Sequence, residues 1–312
     1  MKKFFVPLLA VLLFAAGCAN PVTAPSEAEV DADFQAVIAS LGTDGAPAAF
    51  AAYDAKYGTT LSKDFAAELA GVGPGARLGK GDSGNGTILQ PDMPFSTDGA
   101  VYLSGGGDST VSKVIAWVSP KTFPGGYFHG AVLDLDKFDA NNLEAESLET
   151  AVTKGAGYQS AADWMREVNA CVLKPNFAVD AAKLDSAQAA LDYYCKDSNT
   201  NMEYGFFKNY VNIFNVVTKD DNYTWYCTKV VWRMWKAYGK DIDSNDARID
   251  FTNSGLYSLV KAYYTALHPF SSSKRTAAIN AYIADARQKI VLAEEIMCSP
   301  YFTKVYENIT AN

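Results

Sequence analysis

Two residues of this 312-residue chain have the types and settings that could do chemistry together: His129 in GYFHGAV and Cys227 in WYCTKVVWRMW. The sequence holds only two histidines, His129 and His268. A thiol attacks as its thiolate, and an imidazole is the side chain whose ordinary pKa suits it to take that proton near neutrality. Val230, Val231, Met234, Trp235 and Tyr238 follow Cys227 at helical spacing. That pattern puts Cys227 on the buried face of a helix, in its first turn. Unpaired N–H groups and the positive end of the helix dipole favour a thiolate there. Thiols so placed have pKa values of roughly 3.5–7.5, lowest beside a histidine. His129 lies in a strand-like run, where alternation groups it with Tyr127, Ala131 and Leu133 on one face. A plainer reading makes Cys227 a small apolar core residue and His129 a structural histidine held by a backbone carbonyl. The active reading expects a thiol–imidazole separation of about 3–4.5 Å.

These two residues need a strand and a helix to hold them, and the sequence around them supplies both. From Glu29 to Val72 the runs DADFQAVIASL, APAAFAAYDAKYG and SKDFAAELAGV read as short amphipathic helices, with Thr60 and Ser62 as candidate caps for the last. A glycine-rich boundary spans Gly71 to Gly86. Strand-like runs follow: AVYLSG, KVIAWVS, YFHGAVLDL, SLETAVT and NACVLKP. Helix-like runs come next: VDAAKLDSAQAALDYYC, FFKNYVNIF, CTKVVWRMWKAYG, SGLYSLVKAYYTALH and SKRTAAINAYIADARQKIVLAEEIM. The pattern predicts an α+β fold, a small antiparallel sheet flanked by helices, with an N-terminal helical extension.

The first residues predict a destination outside the cytoplasm. Lys2 and Lys3 precede an apolar run from Phe4 to Ala16, too short to be a comfortable membrane span. The run ends in Ala15-Ala16-Gly17-Cys18, which resembles a bacterial lipoprotein signal box. In such precursors the cysteine is acylated and becomes the new first residue, which makes Cys18 the lipidation site. Residues 19–28, rich in Ala, Pro, Thr and Ser, read as a tether. The expected organisation is a signal peptide over 1–17, a tether over 18–28, a helical extension over 29–75 and the main domain over 76–312. The expected location is the bacterial cell envelope, with the membrane met through the lipid alone. Losing two lysines with the signal takes 27 basic residues to 25 against 35 acids, a net of −10. That balance excludes a nucleic-acid footprint and a polybasic membrane patch.

Other signals are weaker. Cys171, Cys195, Cys227 and Cys298 share no CxxC spacing, so no zinc or dithiol site is expected. An oxidising envelope permits two disulfides among them, but a nucleophilic Cys227 leaves at least one of the others unpaired. Gly79-x-Gly81-x-x-Gly84 matches a dinucleotide fingerprint in letters only, since no strand precedes it and a strand-like run, GTILQP, follows. Asp241-x-Asp243-x-Asn245 imitates the start of a calcium loop, but Asp246 stands where glycine is needed and Thr252 where a bidentate glutamate belongs. No metal and no cofactor are expected. Trp225, Trp232 and Trp235 read as core and pocket lining.

The motifs GAVYLSG, YFHGAV, SLETAV, VLKP and YCTKVVW, closed by AEEIMCSPYFTKVY, occur in one order over residues 97–307. In that order the chain resembles the YiiX-like group of permuted NlpC-type papain-like proteins, in which His precedes Cys, the reverse of papain-like enzymes. It departs from that pattern at Phe128, Thr228, Lys229 and Lys174. The resemblance implies a permuted papain-like sheet, Cys227 as nucleophile and His129 as its base. It places the third, orienting group at Glu149, with Asp134 and Gln159 as substitutes. It also implies cleavage of an amide bond in a cell-wall peptide (peptidoglycan) or a short peptidyl amide. Two other readings stand beside it: an acyltransferase or thioesterase with the same Cys–His pair, and a non-catalytic lipoprotein that binds a small ligand.

Overall fold

The structure is a computed structural model. It describes residues 24–310 apart from 42, 70–87, 107–109, 136–143, 152–154, 196–202, 205–217, 221 and 223. Over 67–69, 110–112, 144–151, 155–158, 192–195, 203–204 and 224 the description is of the backbone alone. The signal segment with Cys18, the glycine fingerprint at 79–84 and the run FFKNYVNIF therefore lie outside the described residues.

Mixed helix and strand surround a four-stranded antiparallel sheet. Its strands are β1 (Val101–Gly105), β2 (Tyr127–Val132), β5 (Asn169–Pro175) and β8 (Phe302–Ile309), in the order β2-β1-β5-β8. A hairpin of β3 (Glu144–Ala151) and β4 (Gly155–Ser160) lies beside the β2 edge. Two-residue strands β6 (Glu203–Tyr204) and β7 (Thr224–Trp225) pair in parallel. The N-terminal helices are α1 (Glu27–Ser40), α2 (Ala46–Tyr57) and α3 (Leu61–Leu69). After them come α4 (Thr110–Val118), α5 (Ala161–Trp164), α6 (Ala181–Cys195) and α7 (Cys227–Tyr238). The last helices are α8 (Gly255–Leu267), α9 (Ser272–Lys289) and α10 (Ala293–Met297).

Alternation along the strands gives the sheet two buried faces. Val101, Leu103, Val132, Cys171 and Leu173 face α6 and α7, meeting Leu184, Val230, Val231, Trp232 and Trp235. Tyr102, Ala131, Leu133, Ala170 and Val172 face the other way, onto Trp164 and Met93. A third core is helical: Phe34, Phe50 and Phe65 of α1–α3 pack with Trp117 of α4 and with Leu259 and Tyr263 of α8. The N-terminal helices thus share a core with helices from the end of the chain, across the boundary expected at 75.

Four elements differ from the sequence reading. The run KVIAWVS, expected as a strand, is the second half of α4, because Trp117 and Val118 complete the helical core. A short apolar run suits either element, and here tertiary packing decides. The run expected as one long C-terminal helix breaks at Ile290, whose backbone is extended, and restarts as α10. GTILQP forms no strand over its described part; Leu89 and Gln90 instead donate their N–H groups to the Met165 carbonyl. The strand β8, in the closing segment, was not anticipated at all.

Candidate active site

Cys227 is the first residue of α7, and its N-cap Tyr226 has extended backbone with no side-chain cap bond. The helix start is clasped from outside. The Tyr226 hydroxyl accepts the Val291 N–H at 2.9 Å, and the Thr228 hydroxyl donates to the Val291 carbonyl at 2.7 Å. Cys227 is therefore bracketed by two hydroxyls that hold one residue of the segment between α9 and α10. Its thiol is buried and donates to the Phe128 carbonyl at 3.5 Å.

That carbonyl belongs to a β-bulge. Ser104 of β1 lies opposite His129 and Gly105 opposite Tyr127, so Phe128 has no partner residue. The bulge leaves Phe128 unmatched in the ladder, with its carbonyl taking the thiol, and it re-aims the side chains on either side. Tyr127 consequently turns to the α7 face, where it donates its hydroxyl to Glu307 at 2.8 Å. The expected grouping of Tyr127 with His129, Ala131 and Leu133 is corrected by this one inserted residue. Close packing at the bulge requires Gly105: a Cβ there would lie 2.2 Å from the Gly125 carbonyl oxygen.

His129 leaves β2 on the face of Ala131. Its ring stacks on Trp164 at 5.4 Å between centroids and 10° between planes. Its Nε2 lies 3.1 Å from Gln159 Oε1, and the Gln159 amide nitrogen donates to Glu167 Oε1 at 3.2 Å. Gln159 and Glu167 are both buried. With the amide oxygen turned to the ring, Nε2 is the nitrogen that donates to it. That is the tautomer a base acting through Nδ1 requires.

The structure thus brings together part of what the sequence proposed. The thiol touches the carbonyl of the residue directly before His129. By standard backbone dimensions this puts the sulfur within about 6 Å of the His129 Cα. The direct thiol–imidazole bond that the pairing implied is not the one formed: among the described residues the thiol's hydrogen-bond partner is Phe128. The reason is geometric. A Cβ at Gly130 would point toward Val231 of α7, at 3.5 Å, so the neighbouring His129 side chain leaves the strand on the opposite face. Glu149 lies on β3 opposite Gly157, and its side chain is outside the description. Of its two substitutes, Gln159 meets the His129 ring, and Asp134 is buried beyond the end of β2. Trp164 and Glu167 were missed. Trp164 followed a run with no strand signal, since β4 reads GAGYQS, and no motif marked either residue.

The remaining candidates have other employment. Asp241 accepts the Trp232 indole N–H at 2.8 Å, and Asp243 pairs with the Lys219 ammonium, so the calcium-like run serves a tryptophan and a lysine. Cys171, Cys227 and Cys298 are free thiols. Burial pushes the Cys171 thiol up to about 12 and the Cys298 thiol up to about 11. Trp225, Trp232 and Trp235 are fully buried, and Lys229 beside Cys227 is buried too, donating to the Thr218 carbonyl at 2.9 Å. No helix among the described residues is long and apolar enough to cross a membrane. No family model matches the chain, and no curated protein or solved structure matches it.

Proposed function

We propose that the chain is an envelope-anchored cysteine hydrolase of permuted papain-like type, cutting an amide bond in a cell-wall peptide or a short peptidyl amide. One observation carries the reading. A thiol at a helix start rests on the backbone of the strand segment that presents an imidazole, and that imidazole is held by an amide oxygen on one nitrogen and by an indole on one face. Such support is what a base needs to keep its orientation and tautomer. In the working state the Cys227 sulfur leaves the Phe128 carbonyl and the bulged segment of β2 turns the His129 ring toward α7, so that thiol and Nδ1 meet. The thiolate then attacks the carbonyl carbon while the Cys227 backbone N–H, at the uncapped helix start, faces the developing oxyanion. The imidazolium returns its proton to the leaving amine. Water, deprotonated by the same ring, then hydrolyses the thioester. The substrate class follows from the resemblance and the expected envelope location.

The test is hydrolysis of purified peptidoglycan stem peptides by the mature chain. Cys227→Ala and His129→Ala should each abolish turnover. Turnover that survives either substitution refutes the reading. A second reading is favoured by the thiol's present bond: a Cys227 that always rests on Phe128 is an inert core residue, and the protein is then a ligand-binding lipoprotein. Ordinary reactivity of the thiol decides for that alternative.

A further inference from the structure

We infer that Glu167 is a positioning residue for His129: acting through Gln159, its carboxylate decides which imidazole nitrogen bears the proton. The functional consequence rests on His129 being the base, but the structural claim does not.

The argument runs along three buried groups. An ionised carboxylate only accepts hydrogen bonds. Gln159 presents its NH₂ group to Glu167 Oε1 at 3.2 Å, the arrangement an ionised Glu167 enforces. A primary amide fixed at its nitrogen end has only its oxygen to offer at the other. That oxygen lies 3.1 Å from Nε2, so the ring must donate there. Without Glu167 the amide could turn over, offer N–H to the ring, and make Nε2 the acceptor. The proton would then sit on Nδ1, the nitrogen nearer the backbone of β2. Trp164 blocks a different escape: a ring stacked at 10° cannot tilt out of plane to find another partner. Glu167 is itself placed by the short helix α5, since its N–H donates to the Trp164 carbonyl at 3.1 Å and its own carbonyl accepts from the Gln90 amide at 2.8 Å. The same short segment thus supplies both the stacking plane and the carboxylate. Neither residue touches the thiol.

The chain's two histidines make the test clean. Full-length mature protein labelled with ¹⁵N in histidine gives two imidazole spin systems, and His268→Gln assigns them. In the parent, neutral His129 should be a single Nε2–H tautomer. Glu167→Gln, whose amide can donate as well as accept, should give mixed or inverted tautomers, with the His268 signals unmoved as the control for folding. Glu167→Met keeps the length without an acceptor and should do the same. The exchanged pair Gln159→Glu with Glu167→Gln restores an acceptor-only group facing the ring and should bring back the single Nε2–H form. A pure Nε2–H tautomer in both Glu167 variants overturns the inference. Thiol labelling read alongside separates the two claims: a tautomer that moves while Cys227 reacts like any buried thiol sinks the catalytic reading and leaves this one standing.

Discussion

At the residue scale, the three free thiols among the described residues differ in what surrounds them. Burial, and for Cys298 also the charge of Asp246, makes both Cys171 and Cys298 hold their protons well above neutrality. Cys227 alone combines a helix start with a neighbouring imidazole. Iodoacetamide at pH 6–7 should therefore label Cys227 at least tenfold faster than either, followed by peptide mass spectrometry on the folded, reduced protein. His129→Ala should remove that advantage, and Gln159→Leu should reduce it. Equal rates at all three sites would leave Cys227 a core residue. A second residue-scale expectation concerns Glu295. Its side chain is fully buried, with Oε2 accepting the Leu292 N–H at 2.9 Å and Oε1 unpartnered. Burial, and then the charge of Asp243, push its carboxyl up to about 8. A carboxyl raised on folding stabilises fully below its unfolded value, near 4.3, and loses that contribution as pH climbs through about 8. Glu295→Gln keeps the acceptor without the charge. It should leave the melting temperature nearly unchanged at pH 5 and raise stability at pH 9, by on the order of 1–3 kcal/mol. Equal effects at both pH values would contradict this origin.

At the element scale, the start of α8 is wedged under α4. A Cβ at Gly255 would lie 2.3 Å from the Trp117 ring, and Trp117 in turn packs edge-on to Phe65. Gly255→Ala must displace the indole, with an expected cost of about 1–3 kcal/mol in urea unfolding. Gly58 has open space around its Cβ position, but its φ of 68° disfavours a side chain all the same. The same contrast explains what could be read beforehand. The face of α7 was legible because Val230, Val231, Met234 and Trp235 repeat at helical spacing, and Cys227 fell where that spacing put it. β2 was legible by its apolar run, and the retained order of motifs led to His129. The bulge at Phe128 was not legible, because it arises from register against β1 and leaves no mark in YFHGAV. It moved Tyr127 to the other face and set the thiol on a carbonyl. Trp117 was misassigned to a strand because what fixes α4 as a helix is a partner set from α2, α3 and α8, remote in sequence. Gln159 could be named only as a substitute, since GAGYQS lacks the branched residues that announce a strand.

At the scale of the whole molecule, the helical core makes the N-terminal helices part of the fold and not an appendage. Phe34, Phe50 and Phe65 cover apolar surface of α4 and α8. Deleting residues up to 75 would expose that surface, and the shortened chain should aggregate on expression where one beginning at Ala19 stays dispersed, as size-exclusion chromatography would show. The proposed anchoring belongs to this scale too. Cys18→Ser should leave the precursor unprocessed or release the protein from membranes, and intact mass should show acyl chains on the parent. A mature N-terminus elsewhere, without acyl mass, would end the lipoprotein assignment.

The clasp on Val291 sets a timetable. The start of α7 is held by a residue 63 to 65 positions further along, so this clasp on Cys227's neighbours cannot form until almost the entire chain is available. For a polypeptide exported amino end first, the thiol would pass through synthesis and translocation as a loose, unarmed side chain. On the proposed function, the site would assemble only after the carboxyl-terminal fifth has arrived, and premature termination anywhere before 291 would leave the start of α7 without its clasp and the proposed hydrolase unassembled.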